Sequence, residues 1–222
     1  MSENEFIREV DEEYRRDRIA QFWKRYNGLV VGLAVLLVAA VGGWRYWQHV
    51  ERGRAEAAAT RFEDATRLGR DGKSDEAQKA FEALAKDAPD GYRLLARFRL
   101  AAEIGKANPE AGAKAYDALA ADTTIEGVMQ DLARLRAAML RLDNADPSMV
   151  QPQLQSLAAP TNPWRHTARE LLGLTNLRRG DYDAAGRWFD QIAADRETPQ
   201  SLRQRLEIYA ALVAGGPVQA TQ

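Results

Sequence analysis

Two histidines, a glycine–lysine–serine triplet and a surplus of charged side chains are what this 222-residue chain offers to a chemical reading, and cysteine is absent. His49 and His166 stand too far apart in sequence to make a local metal or triad signature. Without cysteine there are no disulfides, thiolate zinc sites or cysteine nucleophiles. No H-E-x-x-H or G-x-S-x-G run occurs. "GRDGKS" ends in Gly72-Lys73-Ser74, the tail of a phosphate-binding loop, but such a loop needs a glycine five residues before Gly72, where Arg67 stands. It also needs a strand leading in, where the pattern is helical, so the triplet reads as a turn. Asp and Glu alternate with Arg and Lys at helical spacing, the mark of a solvated face, and no carboxylate pair stands out. We therefore expect no enzyme, no cofactor and no metal.

The elements that carry these residues fall into three parts: a charged leader over 1–25, a membrane helix over 26–48 and a helical domain over 49–222. No charged residue lies between Arg25 and Arg45. The run Tyr26 to Trp44 spans roughly 28 Å as a helix, the thickness of a bilayer's hydrocarbon core. Phe22, Trp23 and Tyr26 at one end and Trp44, Tyr46 and Trp47 at the other form an aromatic girdle suited to the headgroup layers. Bulky rings after the core, and a long leader charged with both signs, argue for a retained anchor rather than a cleaved signal. Gly28 and Gly32, four apart, lie on one helix face and are candidates for close pairing with another membrane helix.

Basic residues near the span set orientation. The leader carries six, and the stretch after the span carries Arg45, Arg52, Arg54 and Arg61, which favours an amino terminus inside. Removing the leader's six basic and seven acidic residues from the totals of 31 and 32 leaves 25 of each over residues 45–222. A charge-balanced domain puts up no large positive field against export, and a formal net charge of -1 gives no footprint for nucleic acid.

Beyond Glu51 Ala, Leu, Arg and Glu dominate at helical spacing, which predicts an all-α body. Breaks near Gly72, Gly105, Asn144 and Gly180 recur 33, 39 and 36 residues apart, the period of an array of helical hairpins. Gly and Asn suit the left-handed residue that ends a helix, and Asp or Ser suits the next N-cap. In "LLGLTNLRRGDYDAAGRWFDQI", Leu172 and Gly173 lie on a first helix, Gly180 in the turn, and Tyr182 opens a second helix that carries Ala185 and Phe189. Small Ala and Gly let two helices close while the aromatics fill the groove beside them. This order resembles the tetratricopeptide repeat, and "GKSDEAQKAFEALAKDAP" with Gly72, Ala77, Phe81 and Pro89 fits the same frame. Two degenerate units lie between: Gly112 and Tyr116 stand in the small and aromatic places of one, and "PSMVQPQLQSL" has no aromatic. The expectation is a tetratricopeptide-like solenoid of about four hairpins closed by a polar-faced cap near 200–214. The first helix, Trp44 to about Leu68, is expected to continue from the span with only Gly53 interrupting.

"GWRYW" at 43–47, "LRRGDYDAAGRWFD" at 177–190 and "TPQSLRQRLEI" entering the last helix make the chain similar to the YfgM-type ancillary subunits of the SecYEG translocon. The charged leader resembles that of the family's alphaproteobacterial branch. The resemblance implies a single-pass protein of the bacterial inner membrane, with a cytoplasmic amino terminus and a periplasmic tetratricopeptide-like domain. It implies association with the SecYEG translocon and a membrane-anchored periplasmic foldase, and help in passing exported chains to chaperones. A scaffold subunit of another envelope assembly is the alternative reading of the same architecture.

Overall fold

Left-handed glycines and short caps cut the chain beyond Gly72 into helices of 11 to 18 residues. The computed structural model describes the backbone of residues 3–142 and 147–216, and side chains from residue 24 onward except 25, 30, 143–148 and those after 216. Among the described residues every regular element is a helix. These are α1 (Glu3–Arg70), α2 (Ser74–Asp87), α3 (Asp90–Ala107), α4 (Pro109–Ala121), α5 (Gly127–Arg141), α6 (Pro147–Leu157), α7 (Arg165–Arg178), α8 (Tyr182–Ala194) and α9 (Gln200–Gly215). The chain divides into two units, Met1–Glu56 and Ala57–Gln222.

In the first unit, part of α1 is the one stretch among the described residues that is long and apolar enough to cross a membrane, and none of its apolar window is buried. Leu29, Val31, Leu33, Leu36 and Val38 all face outward. A helix apolar all round, with no protein packed on it, matches a hydrocarbon surrounding. Gly53 does not interrupt α1, since the flanking Glu, Arg and Ala residues are strong helix formers.

The second unit is an array of hairpins, in which α2 to α9 each pack on the next in sequence and the end of α1 shares an apolar cluster with α2. The last turns of α1 pair with α2, then α3 with α4, α5 with α6, and α7 with α8, and α9 closes the stack. Gly72 and Gly180 end α1 and α7 at φ 79° and 73°, a conformation other residues adopt only with strain. Asn108 and Asp181 cap α4 and α8, their side-chain oxygens accepting from the amides of Ala111 at 3.0 Å and Ala184 at 2.9 Å. Four apolar clusters follow one another along the array. In the first, Ala65, Ala77 and Phe81 are fully buried, with Phe62 edge-on to Phe81 at 5.5 Å. In the last, Phe189 and Ile192 of α8 meet Leu202 and Leu206 of α9. Burying each large side chain contributes roughly 2–3 kcal/mol.

Two expectations need correction. Gly105 is not a left-handed break but a residue inside α3, and the break falls three residues later at Asn108. The glycine is there because α4 passes over it: a Cβ on Gly112 would stand 2.4 Å from the Gly105 Cα. The cap is polar-faced only in part: Ser201, Gln204, Arg205 and Glu207 of α9 are exposed, but so are Ile208 and Leu212, at 62% and 51%. Two of its arginines also tie it to the rest of the array. Arg203 donates to the carbonyls of Asp195 and Thr198, and Arg205 to Glu170. Residue 144 lies outside the described residues.

Candidate interaction surface

A groove of about 740 Å³ opens between the first half of α3 and the segment that leads into α5. Leu94, Leu95, Ile125 and Met129 supply its apolar lining, and Asp90, Arg93, Arg97 and Glu126 its polar rim. Two positive and two negative groups leave the rim without net charge.

The groove rests on a braced frame. Asp122, at the end of α4, accepts from the Thr124 hydroxyl at 2.6 Å and amide at 3.1 Å, and pairs with Arg97 of α3 at 2.7 Å. The Thr124 hydroxyl bond and the Arg97 bond hold its carboxyl well below the usual range, at about 2. Gln130 of α5 reaches back to donate to the carbonyls of Asp122 at 3.0 Å and Ile125 at 2.9 Å. Arg93 closes the α2–α3 corner, donating to the Ala88 carbonyl at 3.1 and 3.2 Å. A preformed groove of this kind binds without first paying to order its own loops. Methionine at the base adapts its shape to different apolar side chains.

Three charge clusters lock helices to one another at other points of the array. Arg141 of α5 donates to Glu110 at 3.0 and 3.1 Å and to Asp117 at 2.7 Å, both on α4. Glu170 of α7 accepts from Arg205 at 2.7 Å and from the Tyr209 hydroxyl at 2.8 Å on α9. Asp195, in the α8–α9 corner, meets Arg165 and His166 of α7, both at 2.9 Å, and Arg165 also bonds Glu197. The Arg165 bond holds the Asp195 carboxyl at about 2, while burial pushes the His166 imidazole below its ordinary value. These groups are consumed by one another, which makes them braces between helices. Among the described residues no group of His, Asp or Glu is arranged to hold a metal ion.

The residues singled out by sequence lie elsewhere than the groove. Ala77, Phe81, Leu172, Ala185 and Phe189 are buried between helices, and Tyr182 opens α8 half-buried. A Cβ on Gly173 would meet the Phe189 ring at 2.3 Å. Phe189 stacks on Tyr209 with centroids 4.8 Å apart. On α1, Tyr26, Trp44, Tyr46 and Trp47 are exposed, and the rings of Trp44 and Trp47 lie 5.8 Å apart. Gly28 and Gly32 face open space. The side chains of Phe22 and Trp23 lie outside the described residues. The groove itself carried no sequence signal beyond apolar residues next to arginine in "GYRLLARF" and "TTIEGVM". Its charge partners were too distant to pair by reading.

Comparison with known proteins agrees with the hairpin architecture. A family model described as a tetratricopeptide repeat-like domain matches residues 20–209. A protein of Escherichia coli (strain K12) described as an ancillary SecYEG translocon subunit is 28% identical over 162 residues, which cover 72% of this chain and 76% of that protein. No solved structure matches the chain.

Proposed function

From a chain that belongs to the tetratricopeptide repeat-like domain family, we infer a membrane-anchored, non-catalytic protein-interaction module that works beside the Sec translocon. Helix 26–48 anchors it in the bacterial inner membrane. The leader, 1–25, lies in the cytoplasm, and the hairpins of 49–222 lie in the periplasm. There they bind other polypeptides, among them translocon subunits, a membrane-anchored foldase and exported chains, and help pass those chains to chaperones. At the anchor's ends Phe22, Trp23, Tyr26, Trp44, Tyr46 and Trp47 lie in the headgroup layers, and Gly28 and Gly32 offer a face to a second membrane helix.

The observation that carries this reading is the braced apolar groove with a neutral rim on α3 and α5. Stacked hairpins use such concavities to hold extended or helical segments of partners. The likeness to a protein described as an ancillary SecYEG translocon subunit supplies the setting. The test is photo-crosslinking in living cells from a reactive residue placed at Met129. Recovery of translocon subunits or exported chains is expected. Recovery of neither, or of outer-membrane or cell-wall assembly proteins alone, would remove the assignment.

A further inference from the structure

Six arginines lie on α3 and α5, and four of them have carboxylate partners. Arg93 pairs with Asp90 and Arg97 with Asp122; Arg134 pairs with Asp131, and Arg141 with both Glu110 and Asp117. Arg99 and Arg136 are exposed, and neither holds a hydrogen bond or ion pair among the described residues. The acids nearest to them along the chain are already engaged. Glu103, one turn after Arg99, is bonded to Lys106 at 2.8 Å. Asp131, on the same helix as Arg136, is bonded to Arg134 and to Asn162.

The two free guanidiniums lie on the helix faces that line the groove, Arg99 one turn after Leu95 on α3 and Arg136 two turns after Met129 on α5. Tyr116 of α4 shares one apolar cluster with Ala133 and Ala137 of α5. Its hydroxyl donates at 3.1 Å to the carbonyl of Phe98, the neighbour of Arg99. Burial raises the pKa of that phenol, and the charges of Arg136 and Arg99 both pull against the rise. Two like charges near a common point repel, and the repulsion is relieved when an anion meets them both. Apolar side chains stand beside them. Leu95, 47% exposed, precedes Arg99 by one turn, and Met139, 42% exposed, follows Arg136 by three residues. Leu95 also lines the groove described above, so apolar and cationic surface follow one another along α3.

We propose that this face of α3 and α5 binds a polypeptide segment of another protein whose apolar side chain enters the groove at Leu95 while a carboxylate, about one helical turn further on, meets Arg99 and Arg136. The proposal rests on the reading of the hairpins as a polypeptide-binding module and adds the class of segment they select: apolar followed by acidic. Guanidinium suits the role because its planar fork takes a carboxylate through two parallel hydrogen bonds. Groove burial supplies the affinity, and the arginine pair supplies the choice among segments.

The test uses the full chain in lipid nanodiscs and two labelled synthetic peptides, one with Leu-Phe followed by Glu-Glu and the other with Leu-Phe followed by Gln-Gln. Fluorescence anisotropy is expected to give tighter binding of the glutamate peptide, by about tenfold, with the advantage shrinking as salt rises. Arg99→Ala and Arg136→Ala each weaken it about threefold, and the double variant abolishes the preference. Both positions are exposed, so circular dichroism of the variants matches the parent. The double charge reversal, Arg99→Glu with Arg136→Glu, turns the preference toward a Lys-Lys peptide. Equal affinity for the two peptides, or an unaltered preference in the double variant, overturns the proposal and leaves the wider reading in place. Loss of binding to both peptides together with absent crosslinks in cells brings down both. Displacement of the glutamate peptide by anionic vesicles, relieved in the double variant, assigns the arginines to lipid headgroups and also overturns it.

Discussion

Gly112→Ala is expected to lower the thermal midpoint of the hairpin unit by roughly 10 °C, a loss of about 3 kcal/mol. The added Cβ would stand 2.4 Å from the Gly105 Cα, 2.7 Å from the Gly105 nitrogen and 2.9 Å from the Ala101 carbonyl oxygen. All three are backbone atoms, so no side chain can swing aside, and α3 and α4 must move apart. Parting them also disturbs the Tyr116 bond to Phe98 and the cluster shared with α5. Gly186→Ala is the matched control. It lies inside α8, and its Cβ would meet only the Val213 side chain, at 3.4 Å. There the helix-propensity gain of about 0.5–1 kcal/mol for alanine over glycine decides the sign, and the midpoint holds or rises slightly. Differential scanning calorimetry of both variants checks the pair. A similar midpoint for the two would contradict close helix contact at Gly105 and Gly112.

Phe189→Ala is expected to cost about 4 kcal/mol, the middle of the range for a buried aromatic. The ring fills the space over Gly173 and stacks on Tyr209 at 4.8 Å, so its removal opens a cavity where α7, α8 and α9 meet. Gly173→Leu alone is also destabilising, because its Cβ would stand 2.3 Å from the ring. Together the two changes partly exchange volume across the helix contact. The double variant should therefore be more stable than the sum of the single losses predicts, by about 1 kcal/mol or more, in denaturant titrations. Strict additivity would mean that the two residues do not share one packing site.

Hairpin number and order were legible because the same packing solution repeats. A small residue and an aromatic four positions later, as in Ala77–Phe81, Gly112–Tyr116 and Ala185–Phe189, mark second helices that press on first ones. Glycine carries two meanings. Gly72 and Gly180 end helices with positive φ, whereas Gly105 clears space for a crossing helix, and a single sequence gives both the same letter. The closing helix is mixed for a related reason. Ser201, Gln204 and Glu207 face solvent as a polar cap should, but Arg203 is drawn to carbonyls and Ile208 and Leu212 are left exposed.

The candidate surface was the least legible part. Charges at helical spacing along α3 and α5 look alike in sequence, as a solvated face. Only the fold reveals that Arg97 is committed to Asp122, 25 residues on, while Arg99 holds no ion pair among the described residues. The proposed recognition depends on which charges the fold leaves over, and that is set by contacts between helices that no local pattern encodes. The anchor is the opposite case. Its length, its lack of charge and its aromatic ends are local properties that can be read without the fold.

Protease treatment of intact spheroplasts tests the central claim most directly, with a tag on the leader and an antibody against the hairpins. A module tethered by helix 26–48 with its hairpins in the periplasm predicts loss of the hairpin signal while the tagged leader persists on a short membrane-bound fragment. Hairpins that survive until the membrane is permeabilised, with a leader tag cleaved from outside, would contradict the orientation and with it the proposed role beside exported chains.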